Sequence, residues 1–259
     1  MQNNNAAAIP DFFIVGTMKG GTTILYDFIC SHALVTRAKE KEIHYFSLYP
    51  QKGLQWYLSH FDASPGTITG EASPTYFDVA YTGAIPSWIH AFNPDAKIIL
   101  IARDPVERAV SHFFHLRNIN KVDLLQDMDI NQFFSFPFEA SLTQTTQTDY
   151  YLQQVLYFSC YSRKFNIYRS VFDRSRILVL HNKELRQTPQ DTMNRTFQFI
   201  GLETFTSPEF NEFKYSSGKN SNVLTPAVRK KLSDFLYRDY ACFCEAAGIR
   251  FDDAVENRP

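Results

Sequence analysis

The chain has four cysteines in 259 residues, and none of them forms a C-x-x-C pair. Cys30 and Cys160 stand alone, and Cys242 and Cys244 make a C-x-C that matches no zinc spacing. No Cys/His ligand pattern exists, so no metal is expected, and the thiols read as buried or idle in a reducing compartment. Long apolar runs are also missing. The longest, such as residues 98–102, are strand-sized and far short of the roughly 20 residues a membrane-spanning helix needs. The opening MQNNNAAAIP has neither the basic nor the apolar region of a signal peptide. A soluble, cytoplasmic protein with no membrane partner is the expectation. An excess of one charge is lacking too: 26 Lys and Arg stand against 27 Asp and Glu, a net charge of −1. That argues against a nucleic-acid partner, while a small anionic ligand needs only a local basic pocket.

Core-forming residues are plentiful, with 44% hydrophobic and 15% aromatic, which excludes a disordered chain. A polar, flexible tail over residues 1–10 precedes one expected domain over 11–255. Residues 11–15 (DFFIV) run into Gly16, a Gly/Thr-rich turn and an apolar stretch at 24–29: strand, glycine loop, helix. Residues 97–102 (KIILIA) form a second strand. Arg103, Asp104 and Pro105 follow it, with Asp104 able to cap a helix and Pro105 to open it. A third strand at 176–180 (RILVL) leads into a helix with Met193, Phe197 and Ile200 on one face, stopping at Gly201.

Continuous apolar strands interleaved with helices predict an α/β fold, a P-loop-like, mostly parallel sheet flanked by helices on both faces. Ligands of such sheets bind beyond the carboxyl ends of the strands, where residues 16–23 and 103–111 are expected to meet. The pattern breaks over 119–149, where an aromatic knot (FFSFPF, 133–138) precedes a polar tract (SLTQTTQT, 141–148). A mobile insertion or lid is expected there. Residues 226–247 form an amphipathic helix with Leu232, Phe235, Leu236 and Phe243 as its apolar stripe.

The loop Gly16-Thr-Met-Lys-Gly-Gly-Thr-Thr23 has the make-up of a phosphate cradle. Glycines let the backbone approach an anion, the helix start offers N–H groups, Lys19 adds a cation, and Thr22 and Thr23 add hydroxyls. A Mg-ATP P-loop would need lysine after Gly21, and Thr22 stands there instead.

DFFIVGTMKGGTT resembles the 5′-phosphosulfate loop of sulfotransferases that use 3′-phosphoadenosine 5′-phosphosulfate (PAPS). KIILIARDPVERAVSHFFH resembles the same family's 3′-phosphate element, a strand ending in Arg103 with Ser111 eight residues on. The resemblance runs from residue 11 to about 247, and KEIHYF, KGLQWYLSHF and GEASPTYFD tie it to the heparan-sulfate-type branch. It implies that Lys19 meets the bridging oxygen of the phosphosulfate, and that Met18, Gly20, Gly21, Thr22 and Thr23 hold the 5′-phosphate. Arg103 and Ser111 would bind the 3′-phosphate. Glu71 matches the family's catalytic glutamate motif, although Ala72 replaces the lysine that follows in the heparan type. His44 is the rival base, and Lys41, His44 and Tyr76 are expected on the acceptor side. The stretch KYSSGKNSN (214–222) resembles the loop closing over the nucleotide, with Ser217, Gly218 and Lys219 in matching places and lysine where arginine is common. Arg108, His112, His115 and Arg117 read as ordinary helix-face residues.

In-line sulfuryl transfer requires placing both reactants, neutralising the leaving phosphate and removing the acceptor's proton, with no need for a metal. The resemblance therefore implies transfer from PAPS to the hydroxyl of a small-molecule acceptor, with PAP as product. Short bacterial sulfotransferases of this make-up often tailor secondary metabolites, and the resemblance points to alkaloid-toxin pathways such as those of cylindrospermopsin or saxitoxin, with a cylindrospermopsin-type alkaloid the nearer expectation. The alternatives are O- or N-sulfation of a carbohydrate and, from another class, a P-loop nucleotide kinase. The missing Walker lysine, and a strand ending in arginine instead of an acidic residue, count against the kinase.

Overall fold

The computed structural model describes residues 8–62, 64–78, 83–119, 122–138, 146–212 and 223–250. In chain order the elements are β1 (Phe12–Gly16), α1 (Thr22–Ile29), β2 (Val35–Arg37), α2 (Leu54–Leu58), β3 (Ile68–Ala72), α3 (Thr75–Asp78), α4 (Ile85–Phe92) and β4 (Lys97–Ala102). They continue as α5 (Pro105–Asn118), α6 (Asp123–Gln126), α7 (Ile130–Ser135), α8 (Gln147–Ser159), α9 (Ser162–Val171) and β5 (Ile177–His181). The last are α10 (Asn182–Gln187), α11 (Pro189–Phe199), α12 (Glu209–Glu212) and α13 (Pro226–Ala247). The chain divides into two compact units, Met1–Ala102 with Lys164–Phe213, and Arg103–Arg163 with Lys214–Pro259.

The first unit holds a five-stranded sheet in the order β2-β3-β1-β4-β5, with every pairing parallel. Successive strand residues point to opposite faces, so unbroken burial means both faces are covered. β1 is buried throughout, and so is β4 after Lys97, as expected of FFIVG and KIILIA. The central β1 pairs with β3 on one side (Phe13 opposite Glu71) and β4 on the other (Phe13 opposite Ile98). The strand order reverses at β1, and a crevice opens beyond the carboxyl ends at such a point. The glycine loop leaves β1 there. Met193 and Phe197 of α11 are fully buried with Ile200 beside them, and Gly201 beyond the helix end adopts φ +81°, a left-handed terminus.

The second unit is helical. Asp104 caps α5 by accepting the N–H groups of Val106 and Glu107 at 2.9 and 3.0 Å, and Pro105 opens the helix. Phe133 and Phe134 of the aromatic knot are fully buried among Phe113, Leu152, Leu232 and Leu236. Leu125, Ile130 and Phe138 are buried in the same core, so part of the stretch expected as an insertion packs there. Residues 139–145 lie outside the described residues. The stripe of α13 also needs correcting, because its buried face is Val228, Leu232, Leu236, Tyr240, Phe243 and Cys244. Phe235 is 45% exposed and makes an edge contact with the Phe138 ring at 5.0 Å.

Arg108 and His112 are not solvent-facing. Both are buried, and the Arg108 guanidinium donates to Ser159 Oγ (2.9 Å) and the Val155 carbonyl (2.7 Å), tying α5 to α8.

Candidate active site

Three hydrogen bonds from distant parts of the first unit hold the glycine loop. Thr17 N–H donates to the Ile101 carbonyl on β4 at 2.9 Å. Met18 N–H donates to Asp78 Oδ2 at the end of α3, at 2.5 Å. Asn182 Nδ2, directly after β5, donates to the Gly20 carbonyl at 2.7 Å. Inside the loop, Gly20 N–H donates to the Thr17 carbonyl at 2.8 Å. A Cβ on Gly20 would lie 2.5 Å from the Ile101 carbonyl oxygen, which explains the glycine there. Lys19 sits at φ +67°, a left-handed conformation that costs a non-glycine residue energy and persists only where its surroundings enforce it.

Gly21, at φ +107°, opens α1 with no side-chain cap. The first-turn N–H groups of α1 have no intrahelical carbonyl, and with the helix dipole they favour an anion. Thr22 is buried and Thr23 exposed at this end. Met18 and Gly20 both spend their N–H groups inside the protein, on Asp78 and on the Thr17 carbonyl.

In the second unit, Arg103 is 7% exposed and its carbonyl accepts the Tyr161 hydroxyl at 3.0 Å. Asp104, besides capping α5, accepts the Tyr237 hydroxyl through Oδ2 at 3.0 Å. Burial, with the Asp104 charge second, pushes that phenol up from its ordinary range. Arg229 pairs with Glu107 at 3.1 Å. The backbone around Arg103 is thus held by Tyr161 and α13, and Ser111 stands half-buried on the second turn of α5. Ser217, Gly218 and Lys219 lie outside the described residues.

Glu71, at the carboxyl end of β3, is 1% exposed. Its carboxyl accepts three hydroxyls: Tyr57 at 2.5 Å, Ser73 at 2.8 Å and Tyr76 at 2.9 Å. Burial raises its pKa despite those donors. The Glu71 carboxyl is thus held inside the protein and shielded from solvent. Tyr76, expected to touch the acceptor, is fully buried and instead holds Glu71.

The hydroxyl of Ser73 links Glu71 to His44, whose N–H donates to Ser73 Oγ at 3.0 Å. His44 Nδ1 lies 2.7 Å from Thr75 Oγ1, and its Nε2 lies 3.7 Å from Glu42. Lys41 pairs with Glu42 as well. The neighbouring His44 ring, helped by Lys41, lowers the pKa of the Glu42 carboxyl to about 2. Glu42 (φ +63°) and His44 (φ +55°) are both left-handed, and the Glu42 side chain is 43% exposed. Glu42 went unnoticed in the sequence although it stands inside KEIHYF. Asp78 and Asn182 were missed because nothing local marks a residue that pins a loop so distant in sequence. Among the described residues no group of three or more His, Cys, Asp or Glu could hold a metal, and no helix is long and apolar enough to cross a membrane.

The carboxyl edge of this parallel sheet thus carries a strand–glycine loop–helix turn with a left-handed lysine after β1, and the same unit holds a Glu42/His44/Lys41 cluster. The chain belongs to the sulfotransferase family: the family described as "Sulfotransferase domain" matches residues 9–236, across both units. Mouse heparan sulfate glucosamine 3-O-sulfotransferase 3B1 is 29% identical over 211 residues, covering 81% of this chain and 50% of the relative. The chain thus spans about half the length of the curated relatives it matches. A sulfotransferase from Alicyclobacillus acidocaldarius shares the fold with a TM-score of 0.74 at 24% identity, covering 94% of this chain and 97% of that one. Mouse sulfotransferase SULT7A1, solved with PAP, superposes with a TM-score of 0.55 at 14% identity, covering 93% and 90%.

Proposed function

We propose that this enzyme transfers the sulfuryl group of PAPS to a hydroxyl of a small-molecule acceptor and releases PAP. The observation that carries the proposal is the glycine loop, which is pinned to β4, α3 and the start of α10 while holding Lys19 in a left-handed conformation at the mouth of β1. A cation carried on a backbone held in this way is suited to stabilise charge developing on the leaving phosphate. Lys19 takes that role, and Gly21, Thr22 and Thr23 hold the 5′-phosphate at the start of α1. Arg103, with a guanidinium fork suited to phosphate oxygens, and Ser111 take the 3′-phosphate. Ser217, Gly218 and Lys219 close over the nucleotide in this reading.

We assign proton removal to His44, with Glu42 and Lys41 beside it on the acceptor side. Glu71 acts through Ser73 by fixing the His44 backbone.

The near-neutral charge supports a small acceptor, because an extended polyanion would call for many basic residues. A secondary-metabolite alkaloid of the cylindrospermopsin type is the acceptor we put forward within that class, on sequence resemblance. The 3-O-sulfotransferase relatives support a second reading, a carbohydrate hydroxyl. None of the four cysteines is in a disulfide, which suits the cytoplasm we assign.

PAP release from PAPS, measured with a panel of hydroxylated alkaloids and with heparan sulfate oligosaccharides, tests the proposal. Turnover on the alkaloids alone is expected. Turnover confined to the oligosaccharides would establish the carbohydrate reading.

A further inference from the structure

We infer that Asp78 and Lys164 form a buried clamp that positions the donor loop, an inference that rests on the proposed PAPS reading. Asp78 is fully buried, and Lys164 on α9 is 3% exposed. Asp78 divides its carboxylate between two tasks. Oδ1 faces Lys164 Nζ at 3.2 Å, and Oδ2 accepts the Met18 N–H at 2.5 Å. Met18 directly precedes Lys19, so the oxygen that fixes the Met18 amide also fixes where the left-handed Lys19 backbone begins. Lys164 is steadied by the Phe77 ring, 4.9 Å from Nζ. One turn further along α9, Tyr168 donates its hydroxyl to the Tyr76 carbonyl at 2.8 Å. The helix thus grips α3 at two points, and α3 presents Asp78 to the loop.

Burying two charges costs desolvation that their attraction only partly repays, so an apolar pair of similar size would serve stability equally well. What such a pair could not do is accept the Met18 N–H. Removing one partner strands a buried charge and unfolds the site for reasons unrelated to the loop. Replacing both at once does not. Asp78→Leu combined with Lys164→Met therefore separates the two roles.

The full-length double variant is expected to melt close to wild type. Its Met18 amide should exchange with solvent about tenfold faster or more, the loss expected for one charge-assisted hydrogen bond, and PAP affinity and kcat/KM for PAPS should fall by a similar factor. A double variant with wild-type PAP affinity, kcat/KM and Met18 exchange would overturn the clamp. If wild type itself bound no PAP, the donor reading would fail. Met18 exchange, which needs no ligand, would then decide the clamp alone: faster exchange supports it, and unchanged exchange rejects it.

Discussion

Replacing Gly20 by alanine tests the packing of the donor loop most severely. The added Cβ would lie 2.5 Å from the Ile101 carbonyl oxygen, 2.6 Å from Thr17 Oγ1 and 2.9 Å from the Thr17 carbonyl oxygen. Two of these three atoms are backbone, one of them in the centre of the sheet, so the loop has to move. Moving it stretches the bonds from Thr17 N–H to Ile101, from Gly20 N–H to Thr17 and from Asn182 to Gly20. Each is worth about 0.5–1.5 kcal/mol, and overpacking alone costs about 1–3 kcal/mol, so a loss of about 2–4 kcal/mol is expected. For a chain of this size that lowers Tm by about 4–16 °C. Gly83 is the control, because a Cβ there meets nothing within 4 Å. Urea melts of Gly20→Ala and Gly83→Ala, read beside wild type, supply the comparison. Equal stability of the two variants would show that the loop does not lie against β4 as described.

Lys19→Ala should lower kcat by about 10² or more, as expected for removing one donor aimed at developing charge, and steady-state kinetics with PAPS would read it. Arg103→Ala should lose preference for 3′-phosphorylated over unphosphorylated adenylates, which competition binding of PAP against AMP would show. Glu71 carries a pH signature of definite sign. Its folded pKa is raised by burial, so stability is full below the unfolded value near 4.5 and declines as pH rises toward the folded value. The Tm of Glu71→Gln should therefore gain on wild type as pH is raised from 4 to 8, whatever constant offset the amide brings. A constant difference across that range would mean that Glu71 ionises in the fold as easily as in the unfolded chain.

Much of this fold is legible in the sequence because its signals are local. FFIVG and KIILIA are continuous apolar runs, and such runs are what a doubly covered parallel strand requires. Asp104 and Pro105 announce the start of α5, and Pro226 and Gly248 bracket α13. β2 escaped because three residues, Val-Thr-Arg, carry no periodicity.

The candidate site divides along the same line. Lys19 and its glycines are contiguous, so the loop can be read directly. The burial of Glu71 depends on hydroxyls from Tyr57, Ser73 and Tyr76 converging on one carboxyl, and only the assembled sheet and α3 bring them there. A motif fixes which carboxylates are near a site, while solvent access decides which can accept a proton. That is why proton removal is assigned to His44 and not to Glu71. Phe235 teaches the same caution, since it lies one residue from buried Leu236 and yet faces outward.

In the proposed mechanism the loop after β1 receives a 3′-phosphorylated adenylate and not a magnesium nucleoside triphosphate. Thermal denaturation of the protein with PAP, compared with ATP plus magnesium, tests it directly. A ligand at about 100 times its Kd adds about 2.7 kcal/mol to the stability of the folded state. The account predicts a clear rise in Tm with PAP and none with ATP and magnesium. A rise with ATP and magnesium, and none with PAP, would contradict it.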